Sequence, residues 1–458
     1  MQIRLLKVWE EARSSYWFVP GLMAIGAILL SLFTVSLDSH LRARVLLSLG
    51  FIWSGGAEGA RGLLQAVAGS MITVAGVTFS ITMVALSLNS SQFGSRLLRN
   101  YMSDTGNQLV LGTFIATFIY CLLVLRTVRS DGNEEFVPYI SVTVGLLLAL
   151  LSLIVLIYFF HHMALSMQAP YVVGEVAVDL FKTIERLFPS GAGTGAPESR
   201  EQQNKRDVPR DFEERARPLT AGMNGYIQAV DEKGLMGIAR DHDLLLKLPL
   251  RPGHFLIEEE VLAYVWPGER LDDQIAHSLR TNFIVGKQRT HTQDVEFGIE
   301  QLVEVAERSL STGINATFTA LACIDWLGAA LAKLLKKDFP SAYRYDDEGR
   351  LRIVLARPLT LTGVLDTAFN QIRQSARDNV AVYIRLLEKI AALKGMTDDP
   401  EVIQVLERHA RMIERDSASH QPEREDQKEV HERYLEVTEV ELPDVKIETG
   451  QKRSSGAS

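Results

Sequence analysis

From Gly62 to Ser95 the chain contains no Asp, Glu, Lys or Arg. A charge-free, Val-, Ala- and Leu-rich stretch of that length is too long for the core helix of a water-soluble domain and marks a membrane span. Cysteine is also scarce. Cys121 and Cys323 are the only 2 in 458 residues, which leaves no disulfide framework and fits a reducing compartment for the soluble part. No Gly-rich phosphate loop, G-x-S-x-G elbow or C-x-x-C pair occurs, so no familiar catalytic motif argues for an enzyme, and no cofactor or metal is expected. The net charge of −8 speaks against a basic face, and nucleic acid is not an expected partner.

What is present divides into two halves. Residues 1–170 are largely apolar, whereas residues 180–458 have ordinary soluble composition. Four segments are long and apolar enough to span: about 17–37, 63–88, 107–125 and 137–160. Tyr16, Trp17 and Phe18 open the first, and Tyr158, Phe159 and Phe160 close the fourth, as an aromatic belt would. The first has no small-x-small cleavage site after it and reads as a retained anchor. The expected fold class is therefore an α-helical membrane domain of four transmembrane helices, followed by an α+β soluble domain with a small β-barrel-like unit and a helical unit.

Four spans put both termini on one side. With the termini inside, Arg4, Lys7, Arg13, Arg96, Arg99, Lys182 and Arg186 flank the cytoplasmic face, against Arg42, Arg44, Arg61, Arg126 and Arg129 outside. That bias favours a cytoplasmic soluble domain.

Within the second span, Gly69, Thr73, Gly76, Ser80 and Ser87 recur at steps of three, four or seven and so share one side of a helix. A stripe of small and hydroxyl residues on a spanning helix serves either close helix packing or a hydrated pore lining. Sequence alone leaves that choice open. All four spans lack internal charge, which counts against an ion-coupled carrier more than against a passive channel. A helix running through Ser95 outruns the bilayer, and would carry Arg96 and Arg99 at headgroup level to meet lipid or the soluble domain.

Residues 2–15 read as an amphipathic lead-in, and the stretch from Arg42 to Gly62 as holding a surface or re-entrant helix that ends at Gly55-Gly56. Residues 171–188 read as a connector helix and 189–217 as a linker. Residues 218–268 carry short β signals (GYIQAVD, GLMGIA, DLLLKLPL, EEVLAYVWP) and resemble small barrel-sandwich folds through RPGHFLIEEEVLAYV. No Met-Lys-Met hairpin accompanies them, so no swinging-arm cofactor is implied. Residues 269–415 are mainly helical, with candidates at 292–311, 315–337, 362–394 and 398–414 and a hairpin in SAYRYDDEGRLRIVL. Residues 416–458 read as a charged, disordered tail.

The densest polar cluster is Arg289, His291, Gln293, Asp294 and Glu296, with Asn315 downstream. A His and carboxylates this close can converge on an ion or a substrate. The same residues also fit the start of a helix, with Thr292 capping, Asp294 complementing the dipole and Asn315 capping the next helix. His161 and His162 read as a polar boundary rather than a metal pair, because adjacent helical residues diverge by about 100°.

At GARGLLQAVAGSMITVAGVTFSITMVALSLNSSQFGSRLLRNYM, and again at RTHTQDVEFGIEQLVEVAERSLSTGINATFTALACIDWL, the chain resembles a domain-of-unknown-function family of predicted bacterial inner-membrane proteins. The resemblance covers most of residues 1–400 and implies an integral inner-membrane protein with a soluble C-terminal region, with no activity attached. The loop Ser311–Ala320 lacks both prolines and the second acidic-loop residue of the family pattern, where Ala316 stands, and Ser95 replaces the usual proline before Arg96. The functional expectation is an oligomeric inner-membrane channel or pore with a cytoplasmic assembly or gating domain. The alternative is a membrane-anchored scaffold or regulatory protein that binds a protein partner through residues 218–415.

Overall fold

The computed structural model describes residues 17–40, 55–94, 104–129, 136–188, 207–377 and 379–439. The amphipathic lead-in at 2–15, Arg96, Arg99, and most of the expected re-entrant segment and linker lie outside them. The chain divides into two compact units, Met1–Val172 and Val173–Ser458.

The first unit holds α1 (Phe18–His40), α2 (Ala57–Phe93), α3 (Thr105–Leu125) and α4 (Tyr139–Ser166). Helix α3 packs against the other three. Close approach is possible because small residues lie at the crossings. A methyl group on Gly112 of α3 would lie 3.2 Å from Pro20 Cα of α1, and one on Gly145 of α4 would meet Leu64 Cδ2 of α2 at 3.3 Å. The buried side of α2 is likewise mostly small, with Ala57, Ala60, Ala68, Ala75 and Ala85 beside Leu64, Val67 and Phe93.

Without water in a bilayer, polar groups inside such a bundle must find partners in the protein. The hydroxyl of Tyr120, fully buried on α3, donates to the Ser141 carbonyl of α4 at 3.0 Å and lies 2.9 Å from Thr34 Oγ1 of α1. Thr117 and Ser152 pair across α3 and α4 at 3.1 Å. Asp38, near the end of α1, accepts from the backbone N–H groups of Ile140 and Ser141 at 2.8 and 2.9 Å and from Ser141 Oγ at 2.7 Å. Pro138 offers no side-chain cap to α4, so a carboxylate from another helix satisfies the open N–H groups and meets the positive end of the dipole. At the other end of the pair, Asp104 caps α3 through Gly106 N at 2.8 Å and holds His162 Nε2 of α4 at 2.6 Å. His161 is exposed.

The second unit begins within α5 (Ala169–Leu187). Helix α5 covers the segment read as a connector helix and buries Val173, Val176, Ala177, Leu180 and Ile184. Next come α6 (Phe212–Arg215), β1 (Arg217–Thr220), β2 (Gly225–Val230), α7 (Glu232–Asp241), β3 (Leu245–Leu248), β4 (Phe255–Leu256), β5 (Val261–Trp266), α8 (Asp273–Arg280), β6 (Phe283–Gly286), α9 (Val295–Ser309), α10 (Thr317–Leu335), β7 (Tyr343–Tyr345) and β8 (Leu351–Leu355). Helices α11 (Leu361–Ser375), α12 (Val380–Lys394), α13 (Pro400–His420) and α14 (Arg424–Glu439) complete the unit.

The strands form two sheets, ordered β1-β5-β3-β8-β7 and β4-β2-β6, rather than a closed barrel. The expected strand GLMGIA lies in α7, where Asp231 caps Gly234 N and Leu235 and Ala239 face the core four residues apart. The expected helical region from 269 also lends β6, β7 and β8 to the sheets. The hairpin β7–β8 joins through a parallel β3–β8 pairing, and Arg352, 4% exposed, clamps Asp346 at 2.7 Å and Asp243 at 2.8 Å. The helix expected over 362–394 is broken between Ser375 and Val380, where Asn379 Nδ2 donates to Thr317 Oγ1 at 2.7 Å. Part of the expected tail is helical: α14 buries Val430 and Val437, and Lys394 of α12 donates to the Val437 carbonyl at 2.7 Å.

Five described helices, not four, are long and apolar enough to cross a membrane: α1, α2, α3, α4 and α10. The added one, α10, packs against α9 and α12 in the second unit. Its Asp325 is paired with Arg385 and Lys389 of α12 at 2.9 and 2.8 Å.

Replacing Asp38 by Ala removes the acceptor for three donors at the start of α4. An unsatisfied buried group costs about 1–3 kcal/mol, so thermal unfolding of the detergent-solubilised protein should shift down clearly for Asp38→Ala and less for Asp38→Asn. Identical melting of both variants and the parent would refute the cap's role.

Candidate functional site

Helix α2 runs for 37 residues, about 55 Å at 1.5 Å per residue, against a hydrocarbon core of about 30 Å. Gly94 closes it at φ +104°, a conformation that suits glycine. Gly69, Thr73, Gly76, Ser80 and Ser87 are all exposed, on the side opposite the alanines that meet α3. A methyl group added at Gly69 or Gly76 would meet nothing within 4 Å. Gly62 and Ser91 extend the same uncovered row at steps of seven and four. Thr73 Oγ1 donates to the Gly69 carbonyl at 2.8 Å and Ser80 Oγ to the Gly76 carbonyl at 2.9 Å. Large exposed side chains of α2 itself, Ile72, Val77, Phe79, Met83, Val84 and Leu88, flank the row on both sides. Leu22, Ile25, Leu29, Leu32 and Phe33 of α1, and Leu147, Leu150, Ile154, Ile157 and Phe160 of α4, are large and exposed, as a lipid-facing surface requires.

The polar cluster of the second unit is built where α9 begins. Asp294, 2% exposed, is the N-cap: its Oδ1 accepts from Phe297 N at 3.1 Å and its Oδ2 from Arg289 Nε at 2.8 Å. Arg289 also donates to Glu300 Oε2 at 2.6 Å and lies over the Phe297 ring. Burial opposes the charge of Arg289, but the two carboxylates more than offset this and raise its pKa. Arg251 holds Glu296 at 2.6 Å. Gly253, at φ +95°, brings its turn against Asp294 so closely that a side chain there would strike the carboxylate. Burial and the adjacent Arg251 push the pKa of His254 down. Gln293 acts as a backbone clamp, accepting from Val230 N at 2.8 Å and donating to Val230 O at 3.1 Å.

The structure therefore unites Arg289, Gln293, Asp294 and Glu296 in a joint between α9 and the β2–β4 sheet. His291 stands beside it, its ring 4.8 Å from that of Phe297 and its carbonyl accepting from Arg186 at 2.6 Å. Asn315 is not part of the joint. It lies beyond the other end of α9, about 22 Å of helix away. Nor does it cap α10: Ala316 is at the N-cap position, and Asn315 takes a left-handed turn at φ +45°. Thr292, too, yields the capping role to Asp294. Carboxylates held this firmly by arginines are suited to positioning elements rather than to moving protons. Among the described residues, no group of three or more His, Cys, Asp or Glu is arranged to hold a metal ion. Sequence reading missed Asp38, Tyr120 and Asp104, whose roles depend on partners 102, 21 and 58 positions away.

The family model for predicted membrane proteins designated DUF2254 matches residues 13–392, and the chain belongs to that family. An uncharacterized protein of Mycobacterium bovis and one of Mycobacterium tuberculosis are each 32% identical to it over 348 residues, covering 74% of this chain. The chain spans 65% of the length of these relatives. No solved structure matches it.

Arg289→Ala would strand two carboxylates, one of them buried. Breaking a buried pair from one side costs about 3–5 kcal/mol. Chemical unfolding should show a loss of that order in the second unit, and a change below about 1 kcal/mol would reduce the cluster to a surface pair.

Proposed function

We propose that this protein is a multi-pass protein of the bacterial inner membrane that assembles into an oligomeric ion channel or pore. Its α2 helices surround the axis, and the Val173–Ser458 unit serves as the cytoplasmic assembly or gating platform. One observation carries the reading: among the described residues nothing covers the small and hydroxyl row of α2, which runs as a stripe between exposed Ile72, Val77, Phe79 and Val84, while the outward faces of α1 and α4 carry large aliphatic side chains throughout. A second copy's α2 can approach such a row closely, and a ring of them would present hydroxyls and small side chains to water. The unequal arginine and lysine balance between the two sides supports cytoplasmic termini.

A second reading is a membrane-anchored scaffold or regulatory protein, in which the row serves only helix packing. It is favoured by Thr73 and Ser80, whose hydroxyls already donate to their own backbone and need no water. Ion flux from proteoliposomes separates the two. A channel conducts, and Ser80→Leu abolishes flux while the oligomer survives. A scaffold shows no flux under any salt, pH or voltage, and Gly76→Leu breaks its oligomer.

A further inference from the structure

Helices α11 and α13 run parallel, and their polar contacts keep one register. Asp366 meets His409 and Arg408, Arg373 meets Asp416, and the Arg377 carbonyl accepts from Gln421. The surroundings are apolar, with Phe369, Ile372, Leu406, Ala410 and Ile413 buried. His409 is itself fully buried, its ring 5.4 Å from that of Phe369. Its Nε2 lies 2.8 Å from Asp366 Oδ1. An ionised carboxylate only accepts, so Nε2 carries the ring proton. Nδ1 is buried and has no hydrogen-bond partner.

A second proton would have to settle on Nδ1, without an acceptor and in a setting that disfavours charge. Asp366 and Arg373 of α11 and Arg408 of α13 act on the ring. On its other sides α13 meets Lys394 of α12 through Glu407 and His431 of α14 through Glu414. We propose that His409 is an acid sensor that holds α13 against α11 at neutral pH and loosens it when the pH falls. Desolvation pushes the pKa of His409 below its ordinary value. A group depressed in this way adds stability above about pH 6.5, and that stability is lost as the pH falls through its lower folded value. The inference concerns the second unit alone and does not depend on the pore.

Hydrogen exchange on the full-length protein in detergent, corrected for intrinsic rates, tests it at about pH 5.5 and about pH 7.5. Amides of α13 should exchange about tenfold faster at the lower pH. In His409→Gln, which keeps a donor toward Asp366 but cannot titrate, the acceleration should vanish. An equal acceleration in that variant would overturn the assignment. Should His409→Gln fail to fold, the parent protein decides: acceleration confined to pH below about 6.5 supports the sensor, and pH-independent exchange of α13 overturns it.

Discussion

The hydroxyl of Tyr120 is the point on which the first unit turns. It joins α3 to α4 through the Ser141 carbonyl and lies against Thr34 of α1. In a bilayer there is no hydrophobic driving force between apolar helices, so packing and interhelical hydrogen bonds must set which helices pair and in what register. Ser141 itself donates to Asp38, so the Tyr120 contact continues into the cap of α4. The Asp104–His162 pair repeats the arrangement at the opposite end of α3 and α4. Two carboxylates, each placed at a helix start, thus brace the bundle.

That bracing gives α2 two unlike faces. Its alanine side is committed to α3 and to α4, where Leu64 comes close to Gly145. The side holding Gly69, Thr73, Gly76, Ser80 and Ser87 has no counterpart among the described residues. Large aliphatic side chains suffice for contact with lipid, as on α1, on α4 and on either side of the row itself, so a small and hydroxyl stripe among them needs a different explanation. The proposed second α2 or hydrated axis would supply one.

The second unit uses ion pairs to settle which loop meets which element. Arg352 fixes the β7–β8 hairpin beside β3, and Arg289 with Arg251 fixes the start of α9 against the turn at Gly253. Asp294 and Asp346, the two buried carboxylates among these contacts, are each satisfied by an arginine and by backbone N–H groups. The polar segment that opens α9 is thereby a joint that fixes α9 against the β4-β2-β6 sheet.

Local pattern determined much about this protein. Uninterrupted apolar length revealed α1 to α4, helical periodicity revealed α9, α10 and α13, and alternation with a Glu348-Gly349 turn revealed the β7–β8 hairpin, because each signal is complete within a few neighbouring residues. Spacing alone also brought the α2 row onto one side. Tertiary structure decided what spacing cannot. It put that row outside and the alanines inside, moved β6 to β8 into the sheets, made a helix of GLMGIA, and drew α14 out of an expected tail. It also gave Asp38, Asp104 and Tyr120 their tasks and left Asn315 apart from Arg289. The physical reason is common to all of these. A side chain's chemistry follows from its residue type, but whether a carboxylate caps a helix, pairs with an arginine or meets water depends on neighbours that only the folded chain brings within hydrogen-bond reach.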